Sequence, residues 1–75
     1  MLVKYVRDHK KRPVGVVVAT DKDRVGWSLC SKHDEWKKEV GKAIAIGRTF
    51  EPVPPAKTVV KAVEAMRERA AKYYK

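Results

Sequence analysis

The chain has 75 residues, and its 18 Lys and Arg against 9 Asp and Glu give a formal net charge of +9. So short a chain forms one domain with a thin core, which argues against a second domain and a deep substrate pocket. The single cysteine excludes an intrachain disulfide scaffold, and the positive charge favours nucleic acid, anionic membrane or acidic protein as partner.

Residues 1–30 have the pattern of a three-stranded sheet. Residues 2–7 alternate β-branched and aromatic side chains with polar ones, and residues 14–20 are rich in Val. Residues 25–30 alternate large and small side chains, which predicts a half-buried strand. Because both connections are short, we expect an antiparallel meander.

The pattern becomes helical at about residue 32 and remains so to about 47. Ser31 is a candidate N-cap with Asp34 three residues later, and Gly47 is a candidate C-terminal stop. The predicted apolar stripe consists of Trp36, Val40, Ala43 and Ile44, with Ile46 at its margin. The opposite side carries Gly41 and Ala45 among four cations: Lys37, Lys38, Lys42 and Arg48.

Residues 49–55 contain three prolines in four positions and predict a stiff connector. A second helix is expected over about 56–74, with an apolar stripe of Val59, Val63, Met66, Ala70 and Tyr73 or Tyr74. The predicted fold is therefore a single α+β domain of order βββαα.

The two predicted helices differ in their outward charges. The second mixes acids and bases, as a solvated helix does, whereas the cations of the first have no acid among them beyond the first turn. We therefore expect nucleic-acid binding by Lys37, Lys38, Lys42 and Arg48, with the predicted first hairpin adding Lys10, Lys11 and Arg12. The alternative is an ordinary solvated lysine face, with Gly41 and Ala45 packed on the second helix.

Other kinds of site have weaker support. Tyr5 is the one candidate for base stacking, since the two tryptophans are assigned to the core. Cys30, His9 and His33 are too few for a closed zinc site, and neither a Gly-rich phosphate loop nor a nucleophile with an orienting group is present. We expect no enzymatic activity, no cofactor and no metal.

The stretch "GWSLCSKHDEWKKEVGKAIAIGR" resembles a pattern in small uncharacterised proteins of bacteriophages and related mobile elements, in which a strand ending near "SLC" precedes a Lys-rich helix ending in "GR". The resemblance covers about a third of the chain. It implies an origin and no chemistry.

Location and source are also suggested by composition. The longest apolar run, residues 14–19, is too short for a membrane span, and lysines and arginines interrupt the N-terminal residues, so we expect a cytoplasmic protein. The chain has no Asn and no Gln, which favours a thermophilic source.

The leading hypothesis is a basic, non-enzymatic protein that binds nucleic acid through its phosphates with little sequence preference. The alternative is a protein-interaction or regulatory module for an acidic host protein, possible also as a homodimer, with Tyr73, Tyr74 and Met66 at its contact edge.

Overall fold

A computed structural model describes residues 1–30, 36–51 and 53–74. Three strands precede two helices, which confirms the predicted α+β fold of order βββαα. The strands are β1 (Leu2–Arg7), β2 (Pro13–Asp21) and β3 (Arg24–Leu29), and the helices are α1 (Lys38–Arg48) and α2 (Val60–Tyr73). A turn of 3-10 helix, Lys57–Val59, leads into α2.

The sheet is antiparallel with β2 in the centre, in the order β1-β2-β3. Val16 pairs with Tyr5 on one side and Ser28 on the other, and a register shift lies near each turn. Residues 16–19 of β2 have no exposed surface. A central strand that is apolar at consecutive positions must be covered on both faces, and here each face carries a helix.

Helix α2 covers one face of the sheet with the stripe that its sequence predicts. Val59, Val63, Met66 and Ala70 are buried there against Val17 and Ala19. Tyr74 extends this contact, and its hydroxyl donates to the carbonyl of Ala19 at 3.1 Å. Tyr73 remains 64% exposed. Met66 is only 1% exposed, so the predicted contact edge of Tyr73, Tyr74 and Met66 is wrong in including Met66, whose side chain lies in the core.

Helix α1 covers the other face, and its predicted orientation is wrong. Gly41 and Ala45 are buried, and Ala45 packs on Val16 and Val18 of the sheet, not on α2. Val40 and Ile44, expected in the core, are 53% and 44% exposed. The face that the sequence assigned to solvent therefore meets the sheet.

Close approach of two backbones explains this orientation. A Cβ added to Gly26 of β3 would lie within 3.0 Å of the carbonyl carbon of Ala45 and clash with its oxygen. Gly26 thus lets the α1 backbone lie directly on β3, where small side chains in both elements leave room. Larger groups such as Val40 or Ile44 would hold the helix away from the strand.

The ends of α1 also differ from the prediction: Gly47, the predicted stop, lies inside the helix, which continues to Arg48. The helix begins at Lys38, after Trp36 and Lys37, whereas the sequence placed its start near residue 32. The Trp36 ring packs from outside the helix on Gly41, where an added Cβ would come within 2.7 Å of it. Ser31 and Asp34, the predicted cap residues, and His33 lie outside the described residues.

A side chain of β3 bonds to the connector. The indole Nε1 of Trp27 donates to the carbonyl of Val53 at 3.2 Å. At the end of α1 the hydroxyl of Thr49 donates to the carbonyl of Ile46 at 2.6 Å. In the described part of the chain, neither helix combines the length and apolar character needed to cross a bilayer.

Candidate nucleic-acid interface

The β1–β2 turn is organised by Asp8. Its carboxylate Oδ1 accepts the backbone N–H groups of Lys10 and Arg12, each at 2.9 Å. The Asp8 main chain adds two bonds, donating to the carbonyl of Arg12 at 3.0 Å and accepting from the N–H of Lys11 at 2.9 Å. Four hydrogen bonds to one residue give these five positions a defined conformation, as in an Asx-type turn.

The charge of Asp8 is held by the same contacts. The N–H of Arg12 contributes most to keeping the pKa of the Asp8 carboxyl below its ordinary value of 3.8. Desolvation of the group opposes this effect, and the N–H of Lys10 and the charges of His9 and Arg12 lower the pKa further. A hydrogen-bonded carboxylate is favoured over the neutral acid, so Asp8 stays ionised near neutral pH.

The turn displays cations outward. His9, Lys10, Lys11 and Arg12 are all exposed. Lys11 has a φ of 63°, in the left-handed region, and its carbonyl accepts the Arg7 guanidinium at 3.0 Å. The lysine and arginine side chains thus project from an ordered backbone, so the turn loses less conformational entropy when it binds a ligand.

One cation of α1 lies beside the same strand. Lys38 Nζ is 5.2 Å from the ring centroid of Tyr5, which belongs to β1. Arg7 follows Tyr5 by two residues, so the two positions share a face of the strand about 7 Å apart. Lys38 therefore lies along the strand that leads to the basic turn. We define the basic surface as Arg7, Lys10, Lys11, Arg12 and Lys38.

The four predicted α1 cations do not form one face. Lys37 is exposed and lines a cleft of about 390 Å³ with apolar groups that include Val40. Lys42 is half-buried. Arg48 is turned to the sheet, with its guanidinium carbon 4.3 Å from the Trp27 ring centroid and its Nη1 donating to the Trp27 carbonyl at 3.0 Å.

The folded chain also brings Arg48 together with Lys22 and Arg67, two cations to which the sequence pattern assigned no role. Lys22, Arg48 and Arg67 line a cleft of about 340 Å³ beside the β2–β3 turn. Arg24 stacks on Phe50 nearby, 5.1 Å from the ring centroid. These residues come from three separate stretches of the chain, so no local pattern groups them. The aromatic Phe50 in the Pro-rich connector was the one signal available.

The described residues carry more positive than negative charge. Among them no salt bridge between a carboxylate and a lysine or arginine is seen, but the Asp8 carboxylate interacts electrostatically with His9 and Arg12. The region 31–35, which contains two acids and one lysine, is not described.

Comparison with protein-family models, with curated proteins and with solved structures found no match. The resemblance to bacteriophage proteins, the thermophilic source and the cytoplasmic location therefore stay predictions.

Proposed function

We propose that this protein binds nucleic acid non-enzymatically, through phosphate contacts made by the basic surface. The observation that carries the proposal is the ordered turn, which presents three consecutive cations, Lys10 to Arg12, on a backbone held by Asp8. An exposed basic turn of this kind can contact successive phosphates of a nucleic-acid backbone or enter a groove.

Two further features support a polyanionic partner. Three consecutive cations, Lys10 to Arg12, lie at one turn beside the single carboxylate of Asp8, and an anion that binds there relieves the repulsion among them. Lys38 beside Tyr5 extends the cationic surface from the turn towards α1. Lys42 is half-buried, and Lys37 and Arg48 line separate clefts, so these three predicted residues are not assigned to this surface.

Low sequence preference follows from composition. The chain contains no Asn and no Gln, the side chains that read adenine edges bidentately. Phosphate contacts position a protein on its ligand but carry little sequence information. We therefore expect similar affinity for unrelated sequences of the same length.

Fluorescence anisotropy with labelled duplex and single-stranded oligonucleotides across a salt series tests the proposal. Affinity should fall steeply with salt, since each phosphate contact contributes about 0.9 to the slope of log K against log salt for duplex and about 0.7 for single strands. The variant Lys10→Ala/Lys11→Ala/Arg12→Ala should reduce that slope by roughly 2–3.

The matched control removes the same number of positive charges elsewhere. Lys57, Lys61 and Lys72 are exposed residues of the 3-10 turn and α2, and Lys57→Ala/Lys61→Ala/Lys72→Ala should leave the slope nearly unchanged. If both triple variants weaken binding equally, only net charge matters and the assigned surface is wrong. If the unaltered protein binds neither ligand at low salt, the function itself is wrong.

A further inference from the structure

We propose that the cleft beside the β2–β3 turn binds a nucleotide unit, with its phosphate among Lys22, Arg48 and Arg67 and its base on Phe50. The cleft has a volume of about 340 Å³, which is within the size range of small-ligand sites. This is a site separate from the basic surface.

The charge of the cleft favours a phosphate. Among the described residues of its lining, three are cations, from the β2–β3 turn, α1 and α2, and one, Asp23, carries a carboxylate. Arg48 is already oriented, because it stacks on Trp27 and uses Nη1 to reach the Trp27 carbonyl. A guanidinium has five N–H donors, so others remain for an anion.

An aromatic surface lies next to these cations. Phe50 is 61% exposed and directly follows Thr49, a residue of the cleft lining. Arg24 directly follows Asp23 and places its guanidinium carbon 5.1 Å from the Phe50 ring centroid. An exposed aromatic ring beside cations is a surface on which proteins stack the bases of single strands, and here the guanidinium of Arg24 lies over the Phe50 ring.

The cleft is distant from the basic surface. The two turns lie at opposite ends of β2, whose nine residues span about 30 Å at 3.3–3.4 Å per residue. The proposal therefore does not depend on the turn cations. A variant that lacks Lys10, Lys11 and Arg12 should retain binding in the cleft.

The test is a titration of the ¹⁵N-labelled Lys10→Ala/Lys11→Ala/Arg12→Ala variant, followed by amide chemical shifts. The probes are AMP, adenosine, pyrophosphate and short oligo(dT). We expect AMP or oligo(dT) to shift the amides of residues 22–24, 48–50 and 67–71, and adenosine and pyrophosphate to bind more weakly. A response to AMP alone identifies a free nucleotide as the ligand, and a response to oligo(dT) alone identifies a strand.

Exposed residues supply variants that retain the fold. Arg67→Ala should weaken binding about tenfold through loss of a charge-assisted hydrogen bond, and Phe50→Leu by a similar factor through loss of stacking. Arg69 is an exposed arginine on the same helix that is not part of the cleft lining, so Arg69→Ala is the matched control and should bind normally.

Three results would overturn the inference. The first is the absence of shifts at the cleft with both AMP and oligo(dT). The second is pyrophosphate binding as tightly as AMP with no effect of Phe50→Leu, which would indicate a plain anion site. The third is equal weakening by Arg67→Ala and Arg69→Ala.

Discussion

The orientation of α1 is tested by replacing a single hydrogen at Gly26 with a methyl group. In Gly26→Ala the new Cβ would lie 2.9 Å from the amide nitrogen of Thr49 and 3.0 Å from the carbonyl carbon of Ala45, and closer still to the Ala45 oxygen. All three atoms belong to the backbone, so no side-chain rotation relieves the contact. The helix as a whole must move away from the strand.

The expected cost is large for a protein of this size. Overpacking a core usually costs about 1–3 kcal/mol, and we expect at least about 3 kcal/mol here because the clash is with backbone. A 75-residue chain has a total stability of roughly 4–11 kcal/mol, taken as about 0.05–0.15 kcal/mol per residue. Gly26→Ala should therefore leave the protein marginally stable or unfolded.

Two other glycines serve as controls for the same substitution. At Gly47 an added Cβ meets nothing within 4 Å, so Gly47→Ala should stabilise the helix by about 0.5–1 kcal/mol. At Gly41 the clash is with the Trp36 side chain, at 2.7 Å, and partial movement of the ring should limit the loss to about 1–3 kcal/mol.

Urea unfolding monitored by far-ultraviolet circular dichroism measures all three variants. The midpoints should rise for Gly47→Ala, fall for Gly41→Ala and fall furthest for Gly26→Ala. A Gly26→Ala variant as stable as the parent protein would show that α1 does not lie on β3 through Ala45. The orientation with Val40 and Ile44 inward would then have to be reconsidered.

Three further predictions concern single side chains. Asp8→Ala should abolish the ordered conformation of the β1–β2 turn. Because the N–H of Arg12 lowers the pKa of Asp8, the stabilisation that this carboxylate gives the turn should be present above its unfolded-state pKa and lost as pH falls through its folded-state pKa. The amide chemical shifts of the turn should follow this loss in the parent protein but not in the variant. Arg48→Lys should cost about 1–2 kcal/mol, since lysine cannot keep both the stacking on Trp27 and the hydrogen bond to its carbonyl; an unchanged melting temperature would contradict this. Met66→Ala, at a site 1% exposed, should cost about 2–5 kcal/mol by leaving a cavity, and a loss below 1 kcal/mol in denaturant titration would mean that α2 is not packed as described.

The candidate sites show why the sequence identified some cations and not others. Lys10, Lys11 and Arg12 are adjacent in the chain and follow a strand, so their gathering at one turn could be predicted. Lys22 and Arg67 are far apart in sequence, and only the packing of α2 against the sheet places them at one cleft. The residue pattern around Lys22 and the pattern around Arg67 are each local, so neither predicts that the two side chains meet.

The amino-acid sequence by itself determined the order of elements and the buried face of α2. Period-2 alternation, the short connections and the prolines are local signals, and α2 has only one stripe of large apolar groups to bury. Helix α1 has two faces that could pack, one with Val40 and Ile44 and one with Gly41 and Ala45. Tertiary structure decided between them, because the face with Gly41 and Ala45 fits closely against Gly26 of β3. How closely two backbones can approach depends on the side chains of both elements, so the sequence of α1 alone does not reveal it.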